Sequence, residues 1–273
     1  MSGALVDISI EKFYNKASEE TRLDSGMGVF EFERIKQLIS QHITKEHAII
    51  IDVGGGTGKY SEWLGSLGHK VVLIEPVEKH IKQAESRSKK AEKPFTIIKG
   101  NAQKLEYPSN FADLVILHGP LYHLQSATER KLAIQEAYRV LKTNGICLAF
   151  GINYTASTMA GLMNGQIHNR EFFEMCRREL SSSLHNPPNS LPWLLAKGYY
   201  HKPEDLRAEL LNAADFKYQT SKAVEGIIWL DSSYFTSMEI PQKRETLEEL
   251  LKITEQDENL IALSPHFMVS VKK

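Results

Sequence analysis

The stretch IIIDVGGGTGKYSEWL, residues 49–64, decides the reading of this chain. From Ala48 to Val53 the run is apolar except for Asp52 and β-branched at Ile49, Ile50, Ile51 and Val53, with no alternation of polar residues. That pattern predicts a strand covered on both faces rather than one with a wet side. Gly54, Gly55, Gly56 and Gly58 follow at once, and Tyr60, Leu64 and Leu67 then mark a short helix with Gly68 as its C-terminal cap. A glycine turn between a buried strand and a helix lets a ligand lie directly against backbone.

Working outward, KVVLIE (70–75), FTIIKG (95–100), ADLVILHG (112–119) and ICLAFG (146–151) read as further strands. Helical stretches separate them. FEFERIKQLISQHI places Phe32, Ile35 and Ile39 on one face, and Ser126 with Glu129 forms a capping box opening a helix with Leu132, Tyr138 and Leu141 inward. Asn144-Gly145 closes that unit. Such alternation predicts an α/β fold, a doubly wound, mainly parallel sheet whose ligands sit beyond the carboxyl ends of the strands. The rhythm breaks after residue 151. Residues 152–202 contain REFFEMCRREL, with Phe172, Met175, Cys176 and Leu180 at helical spacing, and then the Pro-, Asn- and Ser-rich SSSLHNPPNSLPW. We read this segment as a helical lid. PEDLRAELLNAADF (203–216) resumes the alternation, YQTSKAVEGIIWL (218–230) and HFMVSVKK (266–273) are strand candidates, and 241–262 is helical by pattern. The expected division is a core with N-terminal helices (1–151), the lid (152–202) and the remainder of the core (203–273).

Composition is that of an ordinary globular protein, 42% hydrophobic and 25% charged, with 33 basic against 34 acidic residues. That balance argues against a broad nucleic-acid footprint. Cys147 and Cys176 have no CxxC or zinc spacing, so neither a disulfide framework nor a metal is expected. The start lacks a basic, then apolar, leader pattern, and no run approaches ~18 apolar residues, so a cytoplasmic, membrane-free protein is the expectation.

The glycine spacing discriminates among cofactors. A dinucleotide fingerprint beginning at Gly54 and Gly56 needs a third glycine where Lys59 stands, and a phosphate loop needs Ser or Thr where Tyr60 stands. What remains is G-x-G-x-G after a strand carrying Asp52, with Glu75 closing the next strand about 20 positions on, where an acid accepts ribose hydroxyls. This combination resembles motif I and the following acidic position of class I S-adenosylmethionine-dependent methyltransferases. The resemblance implies a Rossmann-like, seven-stranded sheet with an antiparallel last strand. It extends over KGNAQKLEYPSNFADLVILHGPLYHL, where Gly100-Asn101-Ala102 stands in place of Gly-Asp-Ala, and over EAYRVLKTNGICLAF. Asn101 can accept the adenine amino hydrogen bond without charge. GPLYHL (119–124), VEGIIWL (224–230), SPHFMVSVKK (264–273) and FYNKASEETRL (13–23) further resemble a type-11-like, mostly uncharacterised bacterial subgroup.

The resemblance implies a cofactor site of Asp52, Gly54, Gly55, Gly56, Gly58, Glu75, Pro76, Asn101, Ala102 and His118, with Tyr14 and Arg22 folding over the methionine carboxylate. His123 is the first candidate for a base or substrate orienter, because an unperturbed imidazole titrates near ~6.5, and Tyr122 is a second catalytic candidate. Glu225 and His266, in the subgroup-like segments, are also able to face the pocket. Amino-methyltransferases of nucleic-acid bases carry Asp/Asn-Pro-Pro-Phe/Tyr after the fourth strand, whereas this chain reads His118-Gly119-Pro120-Leu121. The expected function is therefore methyl transfer from S-adenosylmethionine to O, N or C of a small molecule, by a monomer or homodimer. The alternatives are a nicotinamide-dependent oxidoreductase and a non-catalytic S-adenosylmethionine-binding protein.

Overall fold

The computed structural model describes residues 5–273. Residues 1–4, which begin the expected core unit and the expected leader-free start, lie outside the described residues. The strands, in chain order, are β1 (Ile49–Val53), β2 (Lys70–Glu75), β3 (Thr96–Lys99), β4 (Ala112–Leu117), β5 (Leu141–Ile152), β6 (Leu184–His185), β7 (Gly198–Tyr199), β8 (Lys217–Ala223) and β9 (His266–Lys272). Seven of them form one sheet in the order β3-β2-β1-β4-β5-β9-β8. The first five run parallel, while β9 is antiparallel to both β5 and β8.

The uninterrupted apolar run of β1 has a direct cause. Ile51 and Val53 join Val72, Ile74, Val115 and Leu117 in a core under one set of helices, and Ile50 joins Val71, Leu73, Leu114 and Ile116 under the other. Successive side chains point to opposite faces, and both faces are covered, so no position tolerates a polar residue without a partner. Burying each such side chain contributes about 1.5–3 kcal/mol. The helices α3 (Met27–Ser40), α4 (Lys59–Ser66) and α5 (Glu78–Lys90) cover one face; α7 (Ala127–Val140) and α10 (Pro203–Ala213) cover the other. In front lie α1 (Ile8–Lys16) and α2 (Glu19–Arg22), while α6 (Pro120–His123) follows β4. The chain leaves β1 towards β2 on one side, and β4 flanks β1 on the other, so the order reverses between β1 and β4. A crevice opens beyond the strand ends there.

Residues 152–202 form α8 (Ala156–Asn164) and α9 (Arg170–Ser182), then a loop bounded by the paired β6 and β7. Asn169 caps α9 by accepting from the amides of Glu171 and Phe172. The buried face of α9 is Phe172, Met175, Cys176 and Glu179, and Leu180 is 43% exposed, contrary to the sequence pattern. Glu179 takes the inward position because His185 Nδ1, 2.6 Å away, and the Ser157 hydroxyl partner it. A similar shift occurs in α7, where Leu132 is 44% exposed and Arg130, Ala133, Ile134, Ala137 and Val140 form the inward stripe. Buried Arg130 is satisfied by Glu209 and by the carbonyls of Leu124 and Gln125. The strand expected over 218–230 ends at Ala223. Gly226 (φ +63°) turns the chain into a 3₁₀ segment, Gly226–Leu230, and the Ser264 hydroxyl accepts the Glu225 and Gly226 amides. The helices α11 (Tyr234–Glu239) and α12 (Pro241–Thr254) precede β9. No helix among the described residues is long and apolar enough to cross a membrane.

Candidate functional site

The crevice holds a cavity of about 820 Å³. Its floor is the turn after β1. Gly56 sits at φ +57°, a region costly for other residues, and a side chain there would project into open space. Its amide donates to Glu75 Oε2 at 3.0 Å. Gly58 (φ +83°) allows the close packing of the turn on Phe95, whose ring would stand 2.8 Å from an added Cβ. Gly54 and Gly55 line the cavity, whereas Asp52 and Gly58 stand behind it. Asp52 is buried beneath the turn and accepts the Ser61 hydroxyl at 2.7 Å, and burial pushes its carboxyl up to about 6 despite that bond. The sequence places Asp52 among ligand contacts; in the structure it lies outside the cavity lining, with its carboxylate bonded to Ser61 of α4.

Glu75 ends β2 with its side chain buried, Oε2 holding Gly56 and Oε1 accepting from the Val77 amide at 3.0 Å. His80 Nδ1 lies 3.3 Å from the same Oε1. Pro76, Asn101 and Ala102 line the same side, with the Asn101 amide group reaching the Leu5 carbonyl at 3.5 Å. His118 leaves β4 between the rings of Tyr60 and Phe150, with centroids 5.4 and 4.7 Å away, and burial lowers its ring to about 4.

The roof is α1. Asp7 caps its N-terminus by accepting the Ser9 amide and forms a 2.7 Å ion pair with Lys197. At the other end Lys79 Nζ donates to the carbonyls of Tyr14, Asn15 and Ala17, groups that a helix terminus leaves unpaired. Between the two, the Tyr14 hydroxyl is 2.8 Å from His123 Nε2. The expectation that His123 is a free base meets a physical obstacle. Burial lowers its ring to about 4, which makes it a weak proton acceptor, and its Nε2 is bonded to Tyr14 of α1. Its buried Nδ1 has no partner among the described residues. Arg22, expected over a ligand carboxylate, spends its fork on Glu31 (2.7 and 3.0 Å) and its Nε on Glu19 (2.8 Å).

A second chamber of about 460 Å³ adjoins the first, and Tyr14, Glu19, Arg22, His118 and Tyr122 border both. Burial raises the Tyr122 hydroxyl far above its ordinary value, which leaves it a donor at neutral pH. Beyond these residues the chamber's lining includes Glu31, His266, the hydroxyl-bearing residues of the segment 18–25 and the apolar Phe13, Ile152 and Leu195. His266 Nδ1 lies 2.7 Å from Glu225 Oε1, and the His266 amide donates to Oε2 at 2.9 Å. Sequence reasoning named Glu225 and His266 without pairing them and gave Glu31 no role. The three share no local pattern, being joined only by the folding of α3 and the chain's last strand onto one place. Glu31, Glu225 and His266 each offer an atom within 4.8 Å of the others, but Glu31 already holds the Arg22 fork and Glu225 the His266 ring.

Comparison with known proteins gives this geometry its setting. Residues 51–149, which span the turn, Glu75, Asn101 and His118, match the family model described as "Methyltransferase domain". Over that stretch the chain is similar to a methyltransferase domain. Its relatives include 2-methyl-6-phytyl-1,4-hydroquinone methyltransferase from Spinacia oleracea, 33% identical over 41% of this chain and 32% of that protein. The ubiquinone/menaquinone biosynthesis C-methyltransferase of Psychromonas ingrahamii is 24% identical over 62% of this chain and 66% of that protein. The first of these matches spans about a third of the relative's own length. Among solved structures, the N-methyltransferase NodS from Bradyrhizobium japonicum, in complex with S-adenosyl-L-homocysteine, superposes with a TM-score of 0.59 at 15% identity, covering 98% of this chain and 99% of that one. The seven-stranded sheet, with β9 antiparallel between β5 and β8, is thus a Rossmann-like fold shared with that N-methyltransferase.

Proposed function

We propose that the chain binds S-adenosylmethionine in the larger cavity and transfers its methyl group to an O, N or C atom of a small molecule held in the adjoining chamber. The observation that carries this reading is the pairing at the floor: Gly56 offers open space where a side chain would stand, while Glu75 holds its amide from below. That cradle fits a ribose lying on backbone with a carboxylate to accept its hydroxyls. Asn101 and Ala102 would receive the adenine edge, and the Tyr14 roof would cover the amino-acid tail, with the N–H groups of Arg22 not used by Glu31 and Glu19 nearest its carboxylate. When bound, S-adenosylmethionine supplies a methyl carbon already activated by its sulfonium. The chain's own contribution is then alignment, worth roughly 7–11 kcal/mol in well-oriented cases, with His118 and Tyr122 forming the wall through which the two chambers meet. A chamber of about 460 Å³ suits a small acceptor. The near-neutral charge supports work on a small molecule without nucleic acid, and the free, buried cysteines support a place in the cytoplasm; the proposed form is a monomer or homodimer.

Isothermal titration with S-adenosylhomocysteine, NAD and NADP tests the reading. Saturable binding of the thioether alone is expected; binding of a nicotinamide nucleotide in its place would return the glycine turn to the oxidoreductases. The same titration tests the roof. His123→Asn and Tyr14→Phe each remove the bond that fastens α1, and each is expected to weaken S-adenosylhomocysteine about threefold to tenfold. Unchanged affinity in both variants would separate His123 from the cofactor roof.

A further inference from the structure

We propose that His266, oriented by Glu225, is the residue that receives the acceptor in the second chamber, and that it selects acceptors bearing a weakly acidic hydroxyl group, a phenol or an enol, over amines. The inference rests on the methyl-transfer reading above and adds the acceptor's chemistry. Glu225 is buried, and its carboxylate is fixed by the His266 amide at 2.9 Å, with the Ser264 hydroxyl 3.1 Å away. That carboxylate accepts a hydrogen bond from His266 Nδ1–H at 2.7 Å and so fixes the ring's orientation and leaves Nε2–H directed away from Glu225. No described residue bonds Nε2, and His266 borders the chamber, so Nε2 is the nitrogen left for an occupant. Sequence distance hid the arrangement, but the chamber has no other imidazole so placed among the described residues: His118 is neutral between two aromatic rings, and His123 is fastened to Tyr14.

The proton inventory is simple. With Glu225 on Nδ1 the ring is already an imidazolium, so its Nε2–H donates to the acceptor oxygen; the acceptor's hydroxyl proton passes to solvent, the oxygen keeps the electron pair, and the bound form is an oxyanion against an imidazolium. The groups facing that imidazolium are Glu225 and Glu31, which stabilise it, Arg22, which opposes it, and the neutral His118 ring, which borders the same chamber. Burial opposes the charge, but Glu225 prevails and lifts the ring to about 9, so it stays an imidazolium that lowers the cost of an oxyanion beside it. An oxygen that accepts the Nε2–H bond retains further lone pairs for attack, or passes charge to an adjacent ring carbon. An amine nitrogen has a single lone pair, and the same bond would occupy it.

The test uses 4-nitrophenol, whose phenolate is coloured, with the full chain saturated by S-adenosylhomocysteine in mildly acidic buffer, where the free phenol is mostly protonated. The wild type is expected to bind it as the coloured phenolate, and His266→Gln to bind it about tenfold or more weakly and without colour. Glu225→Gln should lower both affinity and coloured fraction while S-adenosylhomocysteine affinity stays unchanged in both variants, which shows that they remain folded. No nitrophenol binding, colourless binding by the wild type, equal colour in His266→Gln, or tighter binding of benzylamine than of nitrophenol would each overturn the proposal. So would saturable Zn²⁺ binding lost in His266→Gln, since the ring would then serve a metal. Failure of the wild type to bind S-adenosylhomocysteine would instead remove the methyl-transfer reading itself, and this inference with it.

Discussion

Gly56→Val is expected to abolish S-adenosylhomocysteine binding, weakening it at least about a hundredfold (about 2.7 kcal/mol), while leaving the chain folded. Two separate effects act at this position. Its φ of +57° strains any β-branched residue by about 1–2 kcal/mol, which lowers stability whether or not ligand is present. The isopropyl group would also stand in space that contains no protein atom within 4 Å of a Cβ, the space assigned to the ribose. Gly56→Ala separates the two, because it carries most of the strain and little of the bulk. Thermal melting should place both variants a few degrees below wild type. Titration should show alanine retaining measurable affinity and valine none. A folded valine variant with wild-type affinity would show that the ligand does not lie over this turn.

Glu75→Gln should have an effect of similar size for a different reason. The carboxylate uses one oxygen for the Gly56 amide and the other for the Val77 amide, both at 3.0 Å. Glutamine has one acceptor oxygen, so its NH₂ group would face a backbone N–H and leave a buried donor unpaired, costing about 1–3 kcal/mol. The ribose would lose a charged acceptor as well, and S-adenosylhomocysteine should weaken about a hundredfold. The 2′-deoxy analogue of S-adenosylhomocysteine identifies the contact. It should bind the wild type less well than the parent compound, and the variant no less well than the parent. An equal penalty in both proteins would mean that Glu75 supports the turn and does not touch the sugar.

Most of the sheet was legible because its signals are local. A strand covered on both faces needs apolar residues at every position, so β1, β2 and β4 announce themselves as runs, and the glycine turn is written within five residues. Helix faces were less legible where a charged residue is buried with a partner. Arg130 and Glu179 occupy inward positions, and a hydrophobic pattern therefore turned the stripes towards Leu132 and Leu180, which are exposed. Gly226 likewise ended a strand that β-branched content extended.

By itself the sequence determined the order of strands and helices, the turn that excludes dinucleotide and phosphate-loop spacing, and the acid at the end of the second strand. Each depends on residues a few positions apart, where backbone geometry ties spacing to shape. The tertiary structure alone decided which side chains meet. Tyr14 reaches His123 across 109 positions of sequence, and Glu225 reaches His266 across 41. It also decided their protonation: His118, His123 and His266 are the same residue type, yet burial holds the first two neutral while Glu225 keeps the third charged. An imidazole's charge follows from how much water it loses and which charges replace that water, and both are properties of the folded chain.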